Sequence, residues 1–181
     1  METLKVIQER KSIRSYTSQK LSKELIEDIL NCGRLAPSAK NRQPWYFVVV
    51  EKNIKNKIAD LMLEYVENNI QNLKSSVETT AKIIKEVPIL VLILKDKNND
   101  TIISDTLSIG ACVENMCLRA TDLGIGSLWI RDVIYVEDEI IKILNHENRE
   151  LSCALTLGYT NQIPRQRPKK ELEDIVEWHN E

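Results

Sequence analysis

The chain has 181 residues, 43% of them hydrophobic and 29% charged, with a formal net charge of −2. That length builds a single domain, residues 1–181, whose core needs neither disulfides nor metal. The charge excludes a chain-wide nucleic-acid footprint and an electrostatic membrane anchor.

Four cysteines at 32, 112, 117 and 153 form no CxxC pair and have only two histidines to help them, so no zinc site or iron–sulfur cluster is encoded. The first ten residues carry Glu2, Lys5, Glu9 and Arg10 with no apolar run after them, which predicts a cytoplasmic protein with free thiols.

Thr3 to Arg10 reads as a short helix. Ser22 offers an N-cap to a second, with Leu25, Ile26, Ile29 and Leu30 on one face. "WYFVVVE" from Trp45 reads as a strand. Ile58, Leu61, Met62, Tyr65 and Val66 mark a third helix, and Leu73, Val77, Ala81 and Ile84 a fourth that Pro88 stops. "PILVLIL" from Pro88 is a second strand, followed by a polar connection, "KDKNND", at 95–100. Ser104 to Leu123 is apolar nearly all round, which predicts burial in a core or an interface. Gly124 sits where that helix would end, before a strand "SLWI" from Ser127. Val136, Ile140, Ile141 and Leu144 predict one more helix, "NHENRE" at 145–150 a surface connection, and "LSCALTLG" from Leu151 a last strand. A sheet covered by helices on both faces follows, with strand direction left open.

The chemistry-bearing residues cluster in three places. "ERKSIRSY" supplies Arg10, Lys11, Ser12 and Arg14, donors that match a phosphate monoester or that simply complement a helix end. "IPRQRPKK" puts Arg165 and Arg167 two apart between prolines, on one face of an extended segment or on an exposed basic turn. Two such clusters in a chain of net negative charge suggest one shared anionic ligand. Between them, "RLAPSAKNRQPWYFVVV" is a stiff polar turn leading into a strand. Cys112 and Cys117 read as buried small hydrophobes, His146 and His179 as exposed, and the carboxylates Asp105 and Glu114 as unremarked.

In order and spacing, "RKSIRSY", "APSAKNRQPWYFVVV", "LGIGSLWI" and "IPRQRPKK" closely resemble the nitroreductase family of FMN-dependent oxidoreductases, essentially over the whole chain. The resemblance implies an α+β fold with a central, mainly antiparallel sheet flanked by helices. It implies an intertwined homodimer whose C-terminal arm, residues 168–181, packs on the partner through "LEDIVEW". It also implies FMN as cofactor, NADH or NADPH as electron donor, and ping-pong hydride transfer to a nitroaromatic, a quinone or another flat small-molecule acceptor. The flavin carries the reaction, so no catalytic residue is expected.

Carried over by position, Arg10, Ser12, Arg165 and Arg167 would hold the FMN phosphate, with Lys11 nearby. Arg14 would lie near N1 and O2 of the isoalloxazine, and Pro37, Ser38, Ala39 and Asn41 would reach the partner's flavin. Trp129, Ile130, Arg131 and Asp132 would line the ring, although many relatives place glycines where Arg131 and Asp132 stand. A reductive dehalogenase, a flavin-degrading enzyme of the same family and a non-catalytic FMN store are the alternative expectations, with no nucleic-acid, membrane or metal partner. A protein-interaction role for the arginines is the structural alternative.

Overall fold

A computed structural model describes residues 2–69, 74–97, 99–165 and 167–179. The helices in chain order are α1 (Thr3–Glu9), α2 (Lys23–Arg34), α3 (Lys52–Asn68), α4 (Lys74–Glu86), α5 (Ile102–Asp122) and α6 (Glu137–Leu144). The strands are β1 (Tyr46–Val50), β2 (Ile89–Asp96), β3 (Gly126–Ile130) and β4 (Arg149–Gly158). Leu73, expected in the fourth helix, lies outside the described residues.

The strands form one sheet in the order β1-β2-β4-β3, and every pairing is antiparallel. Alternation along β2 divides the core. Ile89, Val91 and Ile93 face α2 and α5, whose Ile26, Ile29, Ile109, Cys112, Val113 and Met116 cover that side. Leu90, Leu92 and Leu94 face α3, α4 and α6 through Ile58, Met62, Val77, Ala81, Ile84 and Ile140. Each fully buried side chain of this kind contributes about 1.5–3 kcal/mol on leaving water, so the strand with both faces covered pins the two helical layers together.

The pairing of β2 with β4 slips between Ile93 and Leu94, where Ser152 is the extra residue. This bulge lets Leu151 and Cys153 serve opposite faces although they are two apart.

Local chemistry sets the ends. Ser22 Oγ accepts from Leu25 N–H at 3.3 Å and starts α2 as its sequence predicts. Gly124, at φ 71°, ends α5: its N–H donates to Thr121 O at 3.0 Å and Ile125 N–H donates to Ala120 O at 2.8 Å. These two bonds satisfy carbonyls of the last helical turn.

Three expectations change. Lys95 and Asp96 belong to β2, and Arg149 and Glu150 to β4, so both polar "connections" begin or end in the sheet. There Lys95 stands opposite Glu150 and Asp96 opposite Arg149, and each pair is an ion pair. Opposite charges in register replace the apolar alternation that identifies a strand. His146, expected exposed, is half-buried and meets Tyr46 edge-on at 5.2 Å. Helix α5 is buried by its own chain along one side only: Ile103 is 75% and Leu107 71% exposed.

Candidate functional site

The two ends of the chain meet beside β3. Ser12 forms a parallel bridge with Ser127, and Ile13 N–H donates to Ser127 O at 2.9 Å. Gly126 makes room for this: a Cβ there would lie 2.9 Å from Ile13 Cγ2. Gln162 Oε1 accepts from the backbone N–H of Arg14 at 2.8 Å and of Ser15 at 3.1 Å, and Thr160 Oγ1 donates to Ser15 O at 2.7 Å. Tyr16 Oη donates to Ile13 O at 2.8 Å and pairs with Thr156 Oγ1 at 2.6 Å. Burial pushes its phenol well above the usual range, against the effect of the Thr156 bond, so it stays protonated.

This junction opens on a cleft of about 540 Å³ lined by Arg14, by Ser76, Thr79, Thr80 and Ile83 of α4, and by Leu128 to Asp132 at the end of β3. Trp129 is 44% exposed, but its ring leaves β3 on the opposite, α5 face, where a Cβ on Gly110 would lie 3.6 Å from its Cη2; Ile130 is 4% exposed and packs mainly into the core. Asp132 Oδ2 accepts from Ser76 Oγ at 2.7 Å and Thr80 Oγ1 at 3.0 Å, tying α4 to the strand end. The Arg131 guanidinium lies 5.9 Å from the centre of the Tyr135 ring. Lys55, buried on α3, donates to Ile84 O at 2.6 Å and Lys85 O at 2.7 Å, holding the other end of α4. Burial lowers the pKa of that ammonium.

The sequence-predicted residues therefore fall in three groups. Arg14, Trp129, Ile130, Arg131 and Asp132 line one cleft. Arg10, Lys11 and Ser12 lead into it, and Arg10 Nε pairs with Glu114 Oε1 at 3.0 Å. Arg165 and Arg167 are exposed and lie in no helix or strand. Pro37, Ser38, Ala39 and Asn41 lie on α5 instead, where Ala39 N–H donates to Ser108 Oγ at 3.4 Å. None of the four lines the cleft of their own chain.

Their turn is held by residues that sequence reasoning passed over. Arg42 Nη2 donates to Asp105 Oδ1 at 2.9 Å and to Ser104 Oγ at 2.6 Å, and Thr101 Oγ1 donates to Asp105 Oδ2 at 2.5 Å. Burial raises the Asp105 pKa, but the bonds from Thr101 and Arg42, with the charges of Arg42 and Lys95, outweigh it and leave the carboxyl below its usual range. The signal available in the sequence was the polar stripe Thr101, Ser104, Asp105 and Ser108 on an otherwise apolar helix. Glu114 and Gln162 had no comparable signal.

The thiols are placed as expected. Burial raises Cys112 to about 12, Cys117 to about 11 and Cys153 to about 12. Among the described residues no cluster of histidine, cysteine and carboxylates could hold a metal ion, and no helix is long and apolar enough to cross a membrane.

An antiparallel α+β sheet with a cleft that presents Arg14 and Arg131 beside the junction of the chain ends defines a class, and sequence comparison names it. Residues 7–159 match the model of the nitroreductase family, and the chain belongs to that family. An Archaeoglobus fulgidus protein named "Putative NADH dehydrogenase/NAD(P)H nitroreductase" is 31% identical over 166 residues, covering 87% of this chain and 85% of that one. The fold matches a BluB-like flavoprotein from Clostridium difficile 630 with a TM-score of 0.83 and 27% identity, over 99% of this chain and 100% of the other. It also matches a nitroreductase with bound FMN from Desulfitobacterium hafniense DCB-2, with a TM-score of 0.82 and 24% identity over 99% of each chain.

The donor set here fits such a cofactor. Arg14 brings a guanidinium to the cleft, Leu128, Ile130 and Ile83 bring apolar surface, and Asp132 spends its carboxylate on two hydroxyls. A flat, anionic ligand meets complementary charge and shape.

Proposed function

We propose that this protein is an FMN-dependent oxidoreductase that uses NAD(P)H to reduce nitroaromatics, quinones or similar flat acceptors. The observation that carries the reading is the convergence of Arg14 and the Trp129–Asp132 segment on one cleft, from distant parts of the chain. When bound, FMN supplies the redox chemistry, taking a hydride from NAD(P)H and delivering reducing equivalents to the acceptor in a separate half-reaction.

The chain's own residues bind, orient and shield. Arg10, Lys11, Ser12, Arg165 and Arg167 hold the phosphate, and the bond from Arg10 Nε to Glu114 orients that guanidinium while using only one edge of it. Arg14 would bring positive charge to the cofactor in the cleft it lines. Leu128, Ile130 and Ile83, which line the cleft, would exclude water from the bound ring.

The working unit is a homodimer. Ile103, Leu107 and Trp178, the last 78% exposed, are large apolar residues that a second copy would cover. Leu172–Asp174 is a single 3-10 turn, and the residues after it up to 179 lie in no strand of their own chain. That leaves the arm available to pack on the partner, while Pro37, Ser38, Ala39 and Asn41 reach the partner's flavin.

The test is a visible spectrum of the purified protein before and after NAD(P)H under anaerobic conditions, followed by addition of a nitroaromatic or a quinone. A flavin spectrum that NAD(P)H bleaches and the acceptor restores is the expected result. A colourless protein that takes up no added FMN overturns the reading, and a yellow protein that NAD(P)H fails to bleach leaves only an FMN store.

A further inference from the structure

The turn from Ser38 to Pro44 carries an unusual concentration of backbone strain. Lys40, Asn41 and Gln43 have φ of 54°, 54° and 52°, the left-handed region that side-chain-bearing residues seldom adopt. No glycine relieves it. Such a conformation persists only where its surroundings over-determine it.

Those surroundings are polar and come from α5. Arg42, in the middle of the turn, places both Nε (3.2 Å) and Nη2 (2.9 Å) on Asp105 Oδ1. The same Nη2 reaches Ser104, while Thr101 takes the other carboxylate oxygen. Ser108 Oγ, which donates to Ser104 O at 2.7 Å, accepts from Ala39 N–H, and Ser38 Oγ closes the turn by accepting from Gln43 N–H at 3.0 Å. The Asp105 side chain is 8% exposed and that of Arg42 29%. With the carboxylate largely out of water, removing the guanidinium leaves a poorly solvated charge, so the geometry depends on both partners.

We propose that Arg42 and Asp105 are a positioning pair that holds the turn Lys40–Gln43, left-handed at Lys40, Asn41 and Gln43, in the shape needed for Ser38, Ala39 and Asn41 to contact flavin. The inference rests on the flavin reading given above. Neither Arg42 nor Asp105 touches the cofactor; they act through the backbone between them. With the phosphate assigned to Arg10, Lys11, Ser12, Arg165 and Arg167, this turn is left to the ring, so the pair contributes to binding any isoalloxazine, with or without a phosphate.

The test uses the full-length protein in its native oligomeric state, with Arg42→Gln, Asp105→Asn and the double variant, each titrated with FMN and with riboflavin by flavin fluorescence. The double variant leaves no unpaired buried charge and keeps the comparison available where a single variant folds poorly. Each variant should bind FMN and riboflavin about tenfold more weakly, with the ratio of the two affinities kept within roughly twofold of wild type. The double variant should lose no more than the worse single one, as for two residues acting as a unit. Arg10→Ala supplies the contrast, weakening FMN while leaving riboflavin nearly unchanged. Wild-type affinity for both flavins in folded pair variants overturns the inference alone, as does a loss confined to FMN. A wild-type protein that binds neither flavin overturns the flavin reading and this inference with it.

Discussion

Replacing Gly126 by Ala should damage the site from inside the sheet. The added Cβ would lie 2.9 Å from Ile13 Cγ2 and 3.1 Å from both its Cβ and Cγ1. Ile13 is β-branched and 7% exposed, so its side chain has little freedom to give way. Either β3 or the segment around Ile13 must move, at an overpacking cost of about 1–3 kcal/mol. For a chain of this size that lowers the melting temperature by roughly 2–12 °C. The segment that moves carries Ser12 and Arg14, so FMN affinity should fall with it. Gly124→Ala is the control: its φ of 71° imposes a comparable cost of about 1–2 kcal/mol, but no atom lies within 4 Å of the new methyl. Thermal unfolding of the apo-protein and FMN titration of both variants decide the matter. Two variants that lose similar stability but differ in flavin affinity support the argument. If Gly126→Ala binds FMN as tightly as Gly124→Ala does, the close packing of Ile13 on β3 does not position Arg14.

Arg10→Ala and Arg167→Ala should each weaken FMN by about tenfold to a hundredfold, and unchanged titration curves for both would remove them from the phosphate site. Asp132→Ala frees Ser76 and Thr80 and should cost about 1–3 kcal/mol in urea unfolding, with faster hydrogen exchange across α4; exchange at the wild-type rate would show that the helix does not depend on this tie. The three buried thiols predict an alkaline loss of stability. Their folded pKa values, about 11 to 12, lie above the ordinary 9.0, so the folded state keeps protons that the unfolded state releases. Stability from this source is complete below pH 9 and declines as pH rises from there towards 11–12. Denaturant midpoints that stay flat from pH 8 to 10.5, in wild type and in Cys153→Ala alike, would contradict it.

Much of the fold was legible because burial wrote it into apolar spacing. Val77, Ala81 and Ile84 marked α4, and the run Leu90 to Leu94 could only be a strand covered on both sides. The Schellman-type end at Gly124 was equally readable, since few other residues accept its φ. What escaped was decided by pairing across long separations. Lys95 and Glu150 look like loop residues until each is seen opposite the other in the sheet. Arg42 in the turn and Asp105 on α5 were likewise two unremarkable charges until the fold brought them together. Strand direction had no local signal, and the antiparallel arrangement came from the family resemblance.

The order β1-β2-β4-β3 has a consequence for how the molecule comes into being. The strand that joins β2 to β3 is the last one synthesised, so on the ribosome the nascent sheet stays in two pieces until Gly158 has emerged. Arg14, made almost at the start, then waits for Gln162 to tie it down, across a sequence separation of 148 residues. Such distant contacts come late, because loop closure must be met before they reward the chain. A chain interrupted before β4 would leave one edge of β2 unpaired and β3 without a partner strand, and the junction that carries Arg14 closes only after β4 has emerged.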